Sequence, residues 1–295
     1  MRELSWSALG LVALAAWLTA CGGDEAPSPD PAPATAAEAV PEAPAAPATP
    51  DDPGLDKSML EAGNETVALV PSPVETQRAL ADAGIETKLD SLIPKHEFDI
   101  QNADTDHAAV RTGVLLADAL LTVKSADQKD LLQRLTGVQR GLKQLGGGSD
   151  IDAMLNDIKD RIKADAVTRD ELLKEFDELS GAVIPELEFN GQERVVPLIQ
   201  AGSWLEGSNL VAKAIQAKGA GSAEAADRLL KQPAVVAYFI SYVQNEGAEK
   251  APAAVTARLQ ESLTKLQELA EKTEPLGAED ITTVITVTDN VLTLL

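Results

Sequence analysis

The fold is decided by a stretch that is apolar at every position but one, Val114-Leu115-Leu116-Ala117-Asp118-Ala119-Leu120-Leu121. Apolar residues recur at helical spacing on both sides of it, beginning at Val110, and Asp104 or Asp106 can cap the helix at its start. We therefore predict a long helix in which Asp118 interrupts an otherwise apolar surface.

The segments that follow carry helix start and stop signals of the same kind. The glycines at 146–148 end one helix and the pair Ser149-Asp150 caps the next. Thr168 and Glu171 have the spacing of a capping box. The helix that begins there is expected to stop before Pro185, because proline lacks the backbone N–H that a helix interior uses.

The last segment, from Ile281 to Leu295, is rich in β-branched residues that also suit a strand. Its apolar residues follow a period of about 3.6, and no convincing partner strand occurs elsewhere, so we predict a helix. Residues 57–295 are thus expected to form an all-α domain, a multi-helix bundle or solenoid-like array of about nine to ten helices. Arg111–Leu116 resembles Gln200–Leu205, but two short matches do not establish a repeat.

The first 20 residues have the build of an export signal. Arg2 precedes an apolar run from Ala8 to Ala20, which is too short to span a bilayer core. The run ends in Leu18-Thr19-Ala20-Cys21, which resembles the lipobox of bacterial lipoproteins. The resemblance implies cleavage before Cys21, a diacylglycerol thioether on its sulfur and an acyl chain on the new amino terminus. The alternatives are an ordinary secretory peptide, or a soluble protein in which Cys21 is a small buried residue.

Residues 21–56 are expected to be a lipidated cysteine followed by a disordered tether. Nine of the 17 prolines lie between 22 and 56, together with eight acidic residues and no basic one. As a polyproline II helix, this tether would reach about 110 Å. The resemblance to lipoproteins also concerns the membrane to which the protein is sorted. Residue 22 is a glycine and not the aspartate that retains enteric lipoproteins in the inner membrane. The resemblance thus implies an anchor in the outer membrane facing the periplasm.

Composition excludes several classes of function. The formal charge is −22, from 25 basic and 47 acidic residues, so neither nucleic acid nor anionic lipid head groups are expected partners. We therefore expect the lipid to be the contact with the membrane. An envelope protein is the candidate partner of the domain. Cys21 is the only cysteine, which leaves none for a disulfide or a Cys₄ zinc site.

No motif indicates a particular reaction, so we predict neither a catalytic residue, nor a metal, nor a cofactor. His96 and His107 have no ligand spacing and are interpreted as surface or capping residues. Asp104-x-Asp106 and Asp150-x-Asp152 lack the glycine and glutamate of a calcium loop, so they are interpreted as helix caps. The glycines at 146–148 could cradle a phosphate, but turn formation is the favoured interpretation.

The polar residues that remain to be explained are Arg111, Asp118 and Glu206. Glu206 lies in a second apolar segment between Gly202 and Gly207, where the glycines would let another helix approach. Buried carboxylates are costly unless they have partners. One hypothesis is a ligand-binding polar pocket between the two helices, and the favoured alternative is a structural ion pair or a partly exposed edge.

Two patterns, Gly113-x-x-x-Ala117-Asp118 and Gly202-x-Trp204-x-Glu206, look similar to uncharacterised all-helical lipoproteins of Gram-negative bacteria. The likeness covers about residues 105–215; it implies an all-α fold and no activity. Our first hypothesis for function is a membrane-anchored helical module that is structural or binds a partner. The alternatives are an exported enzyme whose acids work in an interhelical cleft, and a carrier of an apolar ligand.

Overall fold

The computed structural model describes residues 73–85, 88–93, 100–219, 223–247 and 253–293. The predicted signal peptide, Cys21, the tether and His96 lie outside these residues. The described residues all belong to one compact unit within Pro53–Leu295.

The described residues contain helices and no strand, which confirms the all-α prediction. The α-helices are α1 Pro73–Asp82, α2 Thr105–Thr122, α3 Gln128–Gln144, α4 Ser149–Lys163, α5 Arg169–Phe189, α6 Val196–Lys218, α7 Ala223–Leu230, α8 Pro233–Tyr242, α9 Ala253–Ala270 and α10 Ala278–Leu292. Short 3₁₀ segments occur at Leu89–Leu92 and Glu193–Val195, and a π-helical turn occurs at Val243–Gly247. Within the described ranges, no helix combines the length and the apolar character needed to cross a bilayer.

Helices α2 and α6 form the centre of the described unit. Twelve of the 18 residues of α2 and 15 of the 23 residues of α6 are buried, so both helices are enclosed by protein on nearly all sides. Helix α3 packs against α2, α10 packs against α6, and α5 and α7 also contact the central pair. Helix α4 packs against α3 and α5, and α9 packs against α8 and α10. The apolar stretch in α2 therefore lies at the centre of the unit.

The two central helices run in the same direction. At their beginnings, Arg194 donates a hydrogen bond to Asp106 at 2.9 Å. At the far end of the contact, the carboxyl groups of Asp118 and Glu206 face each other. Because early residues meet early residues and late residues meet late ones, α2 and α6 are parallel neighbours.

Two glycines bring the backbones of α2 and α6 into contact. A methyl group added at Gly113 would overlap the carbonyl oxygen of Ile199 and would lie 2.8 Å from the backbone nitrogen of Ser203. A methyl group added at Gly202 would overlap the carbonyl oxygen of Val110 in the same way. The two contacts are reciprocal, since Gly113 and Gly202 are separated by 89 positions, as are Val110 and Ile199. The similar segments Arg111–Leu116 and Gln200–Leu205 thus occupy equivalent positions in the contact between the two helices.

The predicted start signals agree with the structure at most helices. Asp104 caps α2 by accepting hydrogen bonds from the backbone N–H groups of Asp106 and His107. Thr168 and Glu171 form the predicted capping box at the start of α5. At α4 the prediction was wrong by one residue, because the N-cap is Gly148 and Ser149 is already helical.

The predicted end of α5 was also wrong, since this helix continues through Pro185 to Phe189. The proline is exposed, and two residues later Leu187 is buried with 1% of its surface exposed. The backbone N–H of Asn190 then donates to the carbonyl of Glu186 and closes the helix. Burial of the last turn therefore offsets the hydrogen bond that proline cannot donate.

The capping box of α5 yields a first prediction. Replacing Thr168 with alanine is expected to lower the free energy of unfolding by about 1 kcal/mol, because the backbone N–H of Glu171 loses its side-chain acceptor. Equilibrium unfolding in urea measures this loss. Thr168→Ser is the matched control, since serine keeps the hydroxyl, and a loss of the same size in that variant would contradict the capping role.

Candidate functional site

The structure brings together two of the three predicted polar residues. Asp118 on α2 and Glu206 on α6 have 2% and 0% of their surfaces exposed, and their carboxyl groups interact with each other. Arg111 is half-buried two turns before Asp118 on α2. The basic group that acts on Asp118 is instead Arg134, which comes from α3.

The pair does not form the structural ion pair that was the favoured interpretation. Within the described part of the chain, no donor makes a hydrogen bond to Oδ1 of Asp118, or to Oε1 or Oε2 of Glu206. Two ionised carboxylates are acceptors only, so neither can satisfy the other. The site is therefore rich in buried acceptors and poor in donors.

Burial raises the pKa of both carboxyl groups. For Asp118 the pKa lies well above its ordinary value, first because of burial and then because of the charge of Glu206, while the charge of Arg134 opposes the shift. For Glu206 burial raises the pKa to about 7, opposed by the neighbouring Asp118 carboxyl group and by the charge of Lys213, whereas the charge of Asp289 adds to the rise. The pair therefore retains protons at pH values where isolated carboxyl groups are ionised.

A second polar contact lies beside the pair and joins α6 to α10. Asn209 is fully buried, and its Nδ2 donates to Thr288 Oγ1 at 2.8 Å and to Asp289 Oδ1 at 2.9 Å. Lys213 donates to the same oxygen of Asp289 at 3.0 Å. These contacts supply donors to Asp289, and they leave the carboxylate of Glu206 without one.

Arg134, on α3, is the basic residue that lies near Asp118. Its guanidinium donates to the hydroxyl of Thr122, and that hydroxyl donates to the backbone carbonyl of Asp118. The positive charge of Arg134 therefore lies near Asp118 without making a direct ion pair with its carboxylate. The pair is positioned by α2, α3, α6 and α10 together.

A pocket of about 160 Å³ lies elsewhere, between the end of α3 and the beginning of α4. Its lining includes Lys143, Asp152 and the glycines 147 and 148, and it contains neither Asp118 nor Glu206. The carboxylate of Glu186 lies against Gly148. Gly146 has a φ of +82°, as expected for a glycine that ends a helix, which agrees with the turn interpretation.

The remaining candidates for chemistry have structural roles in the described residues. His107 is exposed, which agrees with its interpretation as a surface or capping residue, and its Nδ1 atom lies 2.6 Å from Oδ2 of Asp104, the N-cap of α2. In the ranges that the structure describes, no three histidine, cysteine, aspartate or glutamate side chains form a group able to hold a metal ion.

Sequence reasoning identified both acids but missed the groups around them. Asn209 and Lys213 follow Glu206 by three and seven positions, so helical spacing places them on its face and could have identified them. Arg134 and Asp289 belong to other helices, and no local pattern connects them with the pair.

No protein-family model, curated protein or solved structure gave a significant match to this chain.

Proposed function

We propose that this protein is a lipoprotein of the bacterial cell envelope whose helical domain is a non-catalytic structural or binding module. The observation that carries the non-catalytic part is the burial of Asp118 and Glu206, with 2% and 0% of their surfaces exposed. Acids enclosed to this degree cannot meet a dissolved substrate unless the central helices separate. The pair is better suited to holding α2 and α6 together than to turning over a ligand.

The anchoring part of the proposal rests on the sequence. Leu18-Thr19-Ala20-Cys21 has the lipobox pattern, and three acyl chains would hold the protein stably, because each buried CH₂ contributes about 0.8 kcal/mol. With Gly22 after the cysteine, the proposed location is the outer membrane facing the periplasm. The acidic tether would carry the domain away from the bilayer toward an envelope protein partner.

Replacing Cys21 with serine is expected to abolish acylation and to move the protein from the membrane fraction to the soluble envelope fraction. The reason is that serine does not offer the sulfur that carries the diacylglycerol. Incorporation of an alkyne-labelled palmitate, followed by fractionation of the cells, measures both effects. An unlabelled wild-type protein that is freely soluble would overturn the anchoring proposal.

Gly22→Asp is the matched control, because it retains the cysteine and changes only the residue implied in sorting. This variant should still incorporate palmitate, and it should shift from the outer to the inner membrane.

Crosslinking of the wild-type protein in cells, followed by identification of the captured chains, tests the binding role. A clean absence of captured envelope proteins would contradict that role.

One observation favours the alternative, an enzyme or apolar-ligand carrier that uses a cleft between α2 and α6. Carboxyl groups with a raised pKa, such as Asp118 and Glu206, occur preferentially at functional sites. This alternative requires the helices to open, and a ligand bound there would protect α2 and α6 from hydrogen exchange. Unchanged exchange of these helices in the presence of envelope extracts would count against it.

A further inference from the structure

We propose that Asp118 and Glu206 form a proton-binding site that joins α2 to α6, so that the packing of the two central helices depends on pH. This inference goes beyond the proposed function and does not require the protein to be acylated. It rests on the geometry of the pair, on the charges that surround it and on the close contact of the two helices.

The geometry requires a donor that the described side chains do not supply. Oδ1 of Asp118 and both carboxylate oxygens of Glu206 are buried without a hydrogen-bond donor. A proton on one carboxyl group turns it from an acceptor into a donor, and the facing carboxylate accepts that bond. One bound proton therefore creates an interhelical hydrogen bond in place of the repulsion between two like charges.

The charges around the pair balance when one proton is bound. Arg134 from α3 and Lys213 from α6 contribute two positive charges, and Asp289 from α10 contributes one negative charge. The singly protonated pair contributes the second negative charge, so the group is neutral overall.

From α5, Arg169 donates hydrogen bonds to the backbone carbonyls of Val123 and Ala126 just past the end of α2. The contact from α1 is the neutral amide of Gln77, which donates to the carbonyl of Leu121.

The same charges disfavour a divalent metal cation in place of the proton. With both carboxyl groups ionised, the group carries one net negative charge, so a divalent cation would leave it positive. A calcium ion takes six to eight oxygen ligands, and a proton needs only the two facing oxygens. The arrangement therefore fits a proton better than a metal ion.

The position of the pair links its protonation to the central packing. The helices already touch through their backbones at Gly113 and Gly202, so they cannot move closer to adjust the carboxyl contact. When both carboxyl groups ionise, the repulsion acts directly across this contact. We expect the far end of the α2–α6 contact to loosen as the proton is lost.

The sign of the pH effect follows from the raised pKa of the pair. The folded chain retains a proton that the unfolded chain releases near pH 4.5, so the stabilisation is fully present below that pH. The pair loses its first proton as the pH rises through about 7 for Glu206, and the remaining proton is lost only at the raised pKa of Asp118. Over this window, the unfolding equilibrium constant is expected to rise by up to about tenfold per pH unit for each retained proton.

The experiment is urea unfolding of the full chain in detergent, followed by circular dichroism at half-unit steps from pH 4.5 to 8. Asp118→Asn should abolish most of the rise in the unfolding constant, because the asparagine amide donates to Glu206 at every pH. Glu178→Gln removes an exposed acid on α5 and serves as the control, which should follow the wild type. Acids with a lowered pKa, such as Asp280, affect wild type and variants alike, so comparing the curves cancels their contribution.

Parallel curves for the wild type and Asp118→Asn would overturn the proposal. If Asp118→Asn fails to fold, Glu206→Gln provides the same comparison from the other helix, with the same expected loss of pH dependence. Replacing sodium chloride with choline chloride at equal ionic strength tests the metal alternative. Stabilisation of the wild type at pH 8 by sodium, absent from the variant, would show a metal cation in the site and would also overturn the proposal.

Discussion

Replacing Gly113 with alanine is expected to lower the free energy of unfolding by about 3 kcal/mol. The added methyl group would overlap the carbonyl oxygen of Ile199, and the obstacle is backbone, which cannot rotate away as a side chain would. Gly202→Ala should have an effect of similar size, because its methyl group would overlap the carbonyl of Val110. Urea unfolding at pH 5, where the carboxyl pair retains its proton, measures both losses.

The matched control is Gly181→Ala in α5. This glycine is exposed in the interior of a helix, and a methyl group added there meets no atom within 4 Å. Alanine has a higher helix propensity than glycine, so this variant should be more stable than the wild type by up to about 1 kcal/mol. If Gly113→Ala were as stable as Gly181→Ala, the two central helices would not be in backbone contact.

The second large effect is expected for Asn209→Asp, which should lower the free energy of unfolding by about 4 kcal/mol at pH 8. Asn209 is fully buried, and its Nδ2 is a donor to Asp289. Aspartate at this position replaces the donor with a carboxylate beside Asp289 and one turn from Glu206. The loss should be smaller at pH 5, because the new carboxyl group can then be protonated.

Asn290→Asp makes the same chemical change on the exposed face of α10. It should alter stability by no more than about 0.5 kcal/mol, because water solvates the new charge. Urea unfolding of both variants at pH 5 and pH 8 separates the effect of burial on stability from the effect of the added charge. An Asn209→Asp variant as stable as Asn290→Asp at pH 8 would mean that the buried polar region has room for another negative charge.

The helices themselves were largely predictable, because their signals are local. The cap at Asp104, the capping box at Thr168 and the glycine at 146 depend on hydrogen bonds or dihedral angles within a few residues. The segment beginning at Ile281 was correctly predicted as a helix from its apolar period, although its residues favour strands. Where prediction failed, at Pro185, the burial of Leu187 on the next turn outweighed the local signal.

The candidate site was predictable only in part. An acid within an apolar helix is conspicuous, and Asp118 and Glu206 were therefore identified from the sequence alone. The favoured interpretation paired each acid with a base or placed it at an exposed edge, and the other hypothesis placed both acids in a pocket between the two helices. The structure instead places them against each other, with Arg134 and Asp289 arriving from helices that are distant along the chain.

The sequence by itself determined the helices, the apolar stretch of α2 and the lipobox pattern, because each depends on residues that are close together along the chain. Only the tertiary structure decided which helices touch and what Asp118 and Glu206 face. The physical reason is that a carboxyl group's pKa and hydrogen bonds depend on the atoms within a few ångströms, and here those atoms come from four separate helices.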